Sequence, residues 1–214
     1  MSEVEITLRE AIPDDAAALL QVSQKIAEET DFLIMDEVGL GLSEEMLSLQ
    51  LADLYESENN LLLLALADEK IVGMASVKAA SEFTVAHIGE VGISVLKEFW
   101  GIGLGSALLN EVIYWSENAS PLRRLELTVQ KRNERAIHLY QKFGFETEAE
   151  MIRGVRDSKG EFLDVLLMSK LIIKKRSRAL RFQSIYIGKT IFQRIDSKMI
   201  LLIKQYFCTG STVF

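Results

Sequence analysis

The sequence predicts an α+β fold. Helical and strand patterns alternate along most of the chain with short connections, an antiparallel meander of three strands lies in its first half, and a tight turn joins the last two strands. A chain of 214 residues suits one domain with a substantial core. At 49% hydrophobic and 26% charged, the composition is that of a globular protein and excludes disorder or a disulfide scaffold for most of the length.

Pro13-Asp14 opens a first helix whose apolar stripe includes Leu19, Val22 and Ile26. Ser43 is the expected N-cap of a second helix, with Met46, Leu47 and Leu51 turned inward, and residues 31–42 between them read as a loop. A strand at Leu61–Ala67, a turn at Asp68-Glu69-Lys70, a strand from Ile71 to Lys78 and a third run from about Thr84 to Val95 form the meander. Gly103 starts a helix with Leu104, Leu108, Val112 and Trp115 on one side, and Leu125–Val129 is the strand behind it. A further helix runs from Asn133 to about Phe143, with Ala136, Leu139, Tyr140 and Phe143 on a common face. Two strands flank the turn at Asp157-Ser158-Lys159-Gly160, the last being Phe162–Leu171.

Charge divides the chain into residues 1–173 and a basic C-terminal extension, 174–214. The formal net charge is −7, yet the extension holds nine basic residues and one acidic, Asp196. Its apolar residues, among them Ile185, Ile187, Ile191, Phe192 and Phe207, favour packing on the acidic domain or on a second subunit over service as a nucleic-acid arm. One cysteine, Cys208, and two histidines are too few for a disulfide framework or a structural zinc site, so no metal is expected. No apolar run approaches a membrane span and the N-terminus lacks the features of a signal peptide, so a cytoplasmic protein that binds no membrane is expected.

The segment from Val95 to Gly105 contains Trp100-Gly101-Ile102-Gly103-Leu104-Gly105, with glycines at alternate positions between a strand and a helix. Glycine allows close approach of backbone to ligand, and the free N–H groups of a helix's first turn attract anions, which makes this loop a candidate diphosphate cradle. Neither the Gly-Lys-Ser/Thr of a nucleoside-triphosphate loop nor the third glycine of a dinucleotide fingerprint is present.

Downstream, Asn133, Ala136, Tyr140, Gly144 and Phe145 occur in order after a strand. Together the two segments resemble the GNAT superfamily of N-acetyltransferases, whose members carry V-x-P-x-x-R/Q-G-x-G-x-G/A at the coenzyme loop and N-x-x-A-x-x-x-Y-x-x-x-G-F in the next helix. Lys97 stands where that family often has proline, and Trp100 stands where arginine or glutamine is usual, as in its ribosomal-protein and amino-acid N-acetyltransferase branch. The resemblance spans about residues 4–173 and does not reach the extension. It implies an α/β/α-layered GNAT fold with a mixed central sheet whose middle strands splay apart, and acetyl-CoA as co-substrate.

On that resemblance, pantetheine would bond the backbone of Ile93 and Val95 as an extra strand would. The diphosphate would meet N–H groups of Trp100, Gly101, Gly103 and Gly105, with Ser94, Ile102, Leu104, Ser106, Asn133, Ala136 and Tyr140 completing the coenzyme site. Because the domain is acidic, Lys97, Lys131, Arg132 and Arg135 are candidates to offset the coenzyme's charge. Direct transfer of an acetyl group from a thioester to an amine needs neither a metal nor a cysteine nucleophile. Tyr140 is the candidate hydrogen-bond or proton donor to the leaving thiolate, and Glu90 the candidate base for the incoming ammonium. Strand alternation groups Glu90 with Gly92 and Ser94. His87 is a weaker alternative base and His138 a surface residue. The expected acceptor is a primary amine of a small molecule, an amino acid or a protein N-terminus, and a homodimer is one expected assembly. The rival readings are a noncatalytic coenzyme-binding sensor or interaction module on the same fold, and a nucleic-acid-binding extension.

Overall fold

The computed structural model describes residues 5–33, 41–157 and 159–174, together with the backbone of three strands between residues 185 and 202. Strands β1 (Ile6–Glu10), β2 (Leu61–Ala67), β3 (Lys70–Ala79), β4 (Ile88–Val95), β5 (Arg124–Gln130), β6 (Glu146–Arg156) and β7 (Phe162–Leu171) lie side by side in the order β6-β7-β5-β4-β3-β2-β1. Every neighbouring pair is antiparallel except β4 with β5, which is parallel, so the sheet is mixed. Helices α1 (Ala16–Glu29), α2 (Glu44–Tyr55), α3 (Leu104–Asn118) and α4 (Glu134–Lys142) complete the domain.

The core follows from β2. All seven of its residues are buried, which requires cover on both faces of the sheet. Helix α2, which packs with α1, and helix α3 both contact this strand. Leu47 and Leu51 of α2, Leu19 and Ile26 of α1, and Leu104, Leu108 and Val112 of α3 are withdrawn from solvent. Met46, expected to point inward, is instead exposed; what turns toward the helix start is its N–H, which donates to the Ser43 Oγ cap at 3.2 Å. Trp115 is only half-buried.

Three further differences from the sequence reading have local causes. Strand β1 is not predicted by the sequence pattern, because five residues with Ile6 and Leu8 buried are too short to stand out from the charged N-terminal segment. Residues 84–87 form turns rather than the start of β4, tied by hydrogen bonds from the Val85 and Ala86 N–H groups to the Glu82 carbonyl. The Pro13–Asp15 segment is a 3-10 turn that precedes α1 rather than its first turn.

Beyond β1, the sheet continues through β10 (Lys198–Leu202), β9 (Thr190–Ile195) and β8 (Ile185–Ile187), all antiparallel. The side chains of the extension after Lys174, including Cys208 and the apolar residues named above, lie outside the described residues, as do residues 34–40 of the first loop. Among the described residues no helix is long and apolar enough to cross a membrane.

An ion pair fixes the β1–α1 junction. Arg9 donates to both carboxylate oxygens of Asp15, at 2.6 and 2.7 Å, and the Ile12 N–H adds a bond of 2.8 Å to Oδ2. Burial alone would push the Asp15 carboxyl up, but the Arg9 hydrogen bond, the Ile12 N–H and the Arg9 charge together hold it below its ordinary value. A carboxyl depressed by folding contributes stability above its unfolded pKa, near 4, and loses that contribution as pH falls through the lower folded value. Asp15→Asn is therefore expected to destabilise the protein at neutral pH, with the deficit shrinking below about pH 4, as read from urea midpoints across a pH series. A deficit independent of pH would mean that the carboxylate charge contributes nothing.

Candidate active site

The parallel pairing of β4 with β5 is short. It joins Ile88, Gly89 and Glu90 to Arg124, Leu125 and Glu126, and stops there. On its other side β4 stays paired with β3 to its end, from Gly89 opposite Ala79 to Val95 opposite Gly73. The backbone of Val91–Val95 thus faces a gap in mid-sheet with no strand across it, where polar groups need a partner. That gap opens into a cavity of about 780 Å³.

The glycine loop closes one end of the cavity. Gly101 and Gly103 have φ of +84° and +94°, a left-handed conformation that side-chain-bearing residues rarely adopt. Gly103 is the N-cap of α3 and supplies no side-chain oxygen, so the N–H groups of the first turn receive no cap, and the first backbone bond there runs from Ala107 N–H to the Gly103 carbonyl. Gly105 faces α4, where a Cβ would make an ordinary contact with Leu139 at 3.5 Å. The loop is tied to α1 as well: the Lys97 N–H donates to Glu29 Oε2 at 2.7 Å, and Lys25 pairs with Glu98 at 3.2 Å.

Most residues expected in the site line the cavity: Glu90, Ile93, Ser94, Val95, Trp100, Gly101, Gly103, Leu104, Gly105, Ser106, Asn133, Ala136 and Tyr140. Ile102 does not; it points to solvent at 38% exposure. The Trp100 N–H, expected to meet the diphosphate, instead donates to the Lys97 carbonyl in a 3-10 turn at 3.1 Å. Its side chain acts instead: the indole Nε1 donates to the Val95 carbonyl at 2.7 Å, and the Arg135 guanidinium stacks 5.0 Å from the ring centroid. A cation is thereby held beside the glycine loop although the loop itself has no arginine.

Two of the other basic candidates, Lys131 and Arg132, are tied to partners of their own. Lys131 pairs with Glu150 at 2.5 Å, away from the loop. Arg132 turns toward the segment after α1, bonding the Asp31 carbonyl at 3.1 Å. Asn133 caps α4, its Oδ1 accepting from the Ala136 N–H at 3.1 Å. His87 is exposed and is not part of the cavity wall, whereas His138, exposed on α4, lines its rim.

Two groups in the cavity have suitable chemistry for acyl transfer. Tyr140 is buried against Phe145, ring centroids 5.7 Å apart, and burial pushes its phenol up to about 12. Glu90 lies opposite Lys78 of β3 and beside Glu126 of β5 in the strand register. Glu126 is held by Arg124 at 3.0 Å, and no described residue forms an ion pair with Glu90. Sequence reasoning did not single out Thr128, which lines the cavity, or Gln130, which ends β5 and bonds the Asp31 carbonyl, because contact with the first loop needs the tertiary fold. Among the described residues no cluster of three or more His, Cys, Asp or Glu could hold a metal.

The model of the Acetyltransferase (GNAT) family matches residues 28–145. L-amino acid N-acetyltransferase AaaT of Escherichia coli K12 is 31% identical over 109 residues, which is 51% of this chain and 67% of the relative. A GNAT-family acetyltransferase from Streptococcus pneumoniae superposes with a TM-score of 0.75 at 43% identity, covering 78% of this chain and 99% of that one. YncA of Salmonella typhimurium, solved with its cofactor acetyl-CoA, shares the fold, with a TM-score of 0.67 at 18% identity over 81% of this chain and 97% of that one. The parted central strands, the glycine turn into α3 and the two spaced motifs thus coincide with sequence and structural kinship, and the chain belongs to the GNAT acetyltransferase family.

Proposed function

We propose that this protein transfers the acetyl group of acetyl-CoA to a primary amine by direct attack of the amine on the thioester. The observation that carries this reading is the cavity itself, which joins the edge of β4 beyond its pairing with β5, the uncapped start of α3, and the side chains of Glu90 and Tyr140. Acetyl-CoA supplies the activated acyl group and a diphosphate-bearing handle.

Each end of the cavity suits one part of that co-substrate. The first-turn N–H groups of α3 and the positive end of its dipole receive the diphosphate, with Arg135 on its Trp100 platform adding charge where the acidic domain would otherwise repel it. Backbone groups of Ile93 and Val95 bond the pantetheine amides in the manner of a neighbouring strand. An N–H of the same strand stabilises the negative charge building on the thioester carbonyl in this reading.

Amines reach the site largely protonated, so a base must take a proton before attack. Glu90 fills that role, directly or through a water, because no described residue neutralises it by an ion pair. The departing thiolate takes a hydrogen bond from Tyr140. Burial pushes the phenol up to about 12, so the hydroxyl stays protonated and able to donate to the thiolate. The acceptor is a small amine, an amino acid or a peptide N-terminus.

An acceptor screen with acetyl-CoA, read by mass spectrometry for a gain of one acetyl group, tests the activity. Binding of acetyl-CoA without acetylation of any amine would favour a noncatalytic coenzyme sensor. Tyr140→Phe is expected to lower kcat about a hundredfold with little change in acetyl-CoA affinity. An unchanged rate would assign thiolate stabilisation to another group. Gly103→Asp, which puts a side chain at φ +94° and a like charge beside the diphosphate, is expected to weaken acetyl-CoA binding roughly tenfold or more. Circular dichroism checks that the variant is folded, and undiminished affinity in calorimetry would remove the loop from the site.

A further inference from the structure

Glu90 and Glu126 are register partners in the parallel ladder, and such partners project their side chains to the same face of the sheet. That face is the one covered by α1. Gln130, four residues further along β5 and so on the same side as Glu126, donates from Nε2 to the Asp31 carbonyl just beyond α1 at 2.8 Å. Two carboxylates are thereby placed side by side next to the opening, and only one of them reaches it. Glu90 lines the cavity and Glu126 does not.

The cause is Arg124, two residues before Glu126 on the same strand and face. Its Nε donates to Glu126 Oε2 at 3.0 Å. Its terminal nitrogens grip Glu148 of β6 as a fork, at 2.8 Å from Nη1 and 2.6 Å from Nη2. Ser169 of β7, the register partner of Glu126, donates from Oγ to the same Glu148 carboxylate at 2.5 Å. The Arg124 and Ser169 bonds hold the Glu148 carboxyl down at about 2, so it stays charged and keeps the guanidinium in place. An arginine fixed in this way from β6 turns its Nε edge to Glu126 and draws that carboxylate away from β4. A lysine, with one nitrogen and no fork, could not hold both acids in fixed positions.

The other charges around Glu90 do not duplicate this arrangement. Lys78 of β3 stands opposite it on the other flank. The remaining ionisable groups of the cavity wall, Arg132, Glu134, Arg135, His138, Tyr140 and Lys142, all come after the end of β5. His87 precedes β4 outside the wall, and α3, with its buried Glu111, packs on the opposite face.

We propose that Arg124 is a positioning residue for the acid–base step, holding Glu126 aside so that Glu90 alone offers a carboxylate to the incoming ammonium at that end of the cavity. The inference rests on the acetyl-transfer reading and deepens it. Freed from Arg124, Glu126 would set a second negative charge beside Glu90. A like charge nearby favours the protonated form of a carboxyl, which cannot take a proton from the amine.

The test uses protein labelled with carbon-13 at the glutamate side-chain carboxyls, the Glu90 resonance being identified by its loss in Glu90→Gln. Arg124→Gln is expected to move the titration midpoint of that resonance upward by about half a pH unit or more. The acid limb of kcat/KM, measured with the amine acetylated in the acceptor screen, should move the same way. Arg124→Gln/Glu126→Gln should bring the midpoint back to near the wild-type value, whereas Glu126→Gln alone should move it less than it does in the Arg124→Gln background. Arg124→Lys, which keeps the charge without the fork, should give a smaller upward shift and serves where Arg124→Gln does not unfold cooperatively. No upward shift in either Arg124 variant, or strictly additive effects of the two substitutions, would overturn the proposal. If the resonance behaves as expected while the acid limb stays fixed, or no amine is acetylated, the hold on Glu126 stands and the role of Glu90 as base fails instead.

Discussion

The separation of β4 from β5 is the constraint on which the site depends. A sheet interior normally leaves no backbone group without a partner, yet here the ladder stops after Glu90 and Glu126 while β4 remains paired with β3 along its whole length. Gly92 lies so near Ser76 that a Cβ would come within 2.9 Å of its Oγ, so the two strands are closely packed at that point. One side of β4 is therefore fixed and the other is open. An extended ligand rich in amides can complete the interrupted ladder, which gives affinity without any particular side chain.

The chemistry is then distributed along the opening. One end is the positive start of a helix that lacks a side-chain cap, reached through two left-handed glycines. The middle holds a phenol kept neutral by burial. The stretch where β4 is still paired with β5 carries the Glu90 carboxylate. The glycine loop bonds back to α1 through Glu29 and Lys25, and the segment following α1 bonds to β5 through Gln130 and Arg132. The glycine loop and the end of β5 are thus both anchored to the C-terminal side of one helix, so a shift of α1 would be felt at both.

Much of the fold was legible because the relevant patterns are local. The continuous apolar run of β2, the turn after it, the glycine start of α3 and the spacing of Asn133, Ala136 and Tyr140 each reflect a constraint within a few residues. The family resemblance likewise rested on two short motifs, and the cavity gathers nearly all the residues it implied. What was not legible depends on distant partners. Nothing near Trp100 says that its N–H closes a 3-10 turn while its indole locks the Val95 carbonyl. Nothing near Lys131 or Arg132 says that one pairs with Glu150 and the other with Asp31, about a hundred residues away. Sequence position made all four basic residues equivalent, and packing separates them.

The central claim is that the helix start grips the diphosphate of the donor. Calorimetric titration with coenzyme A and, separately, with pantetheine, which keeps the amide arm and thiol but lacks the nucleotide and both bridging phosphates, tests it most directly. Coenzyme A is expected to bind measurably and more weakly as salt rises, and pantetheine to bind at least a hundredfold more weakly. Comparable affinity for the two, or no heat with either, would contradict it.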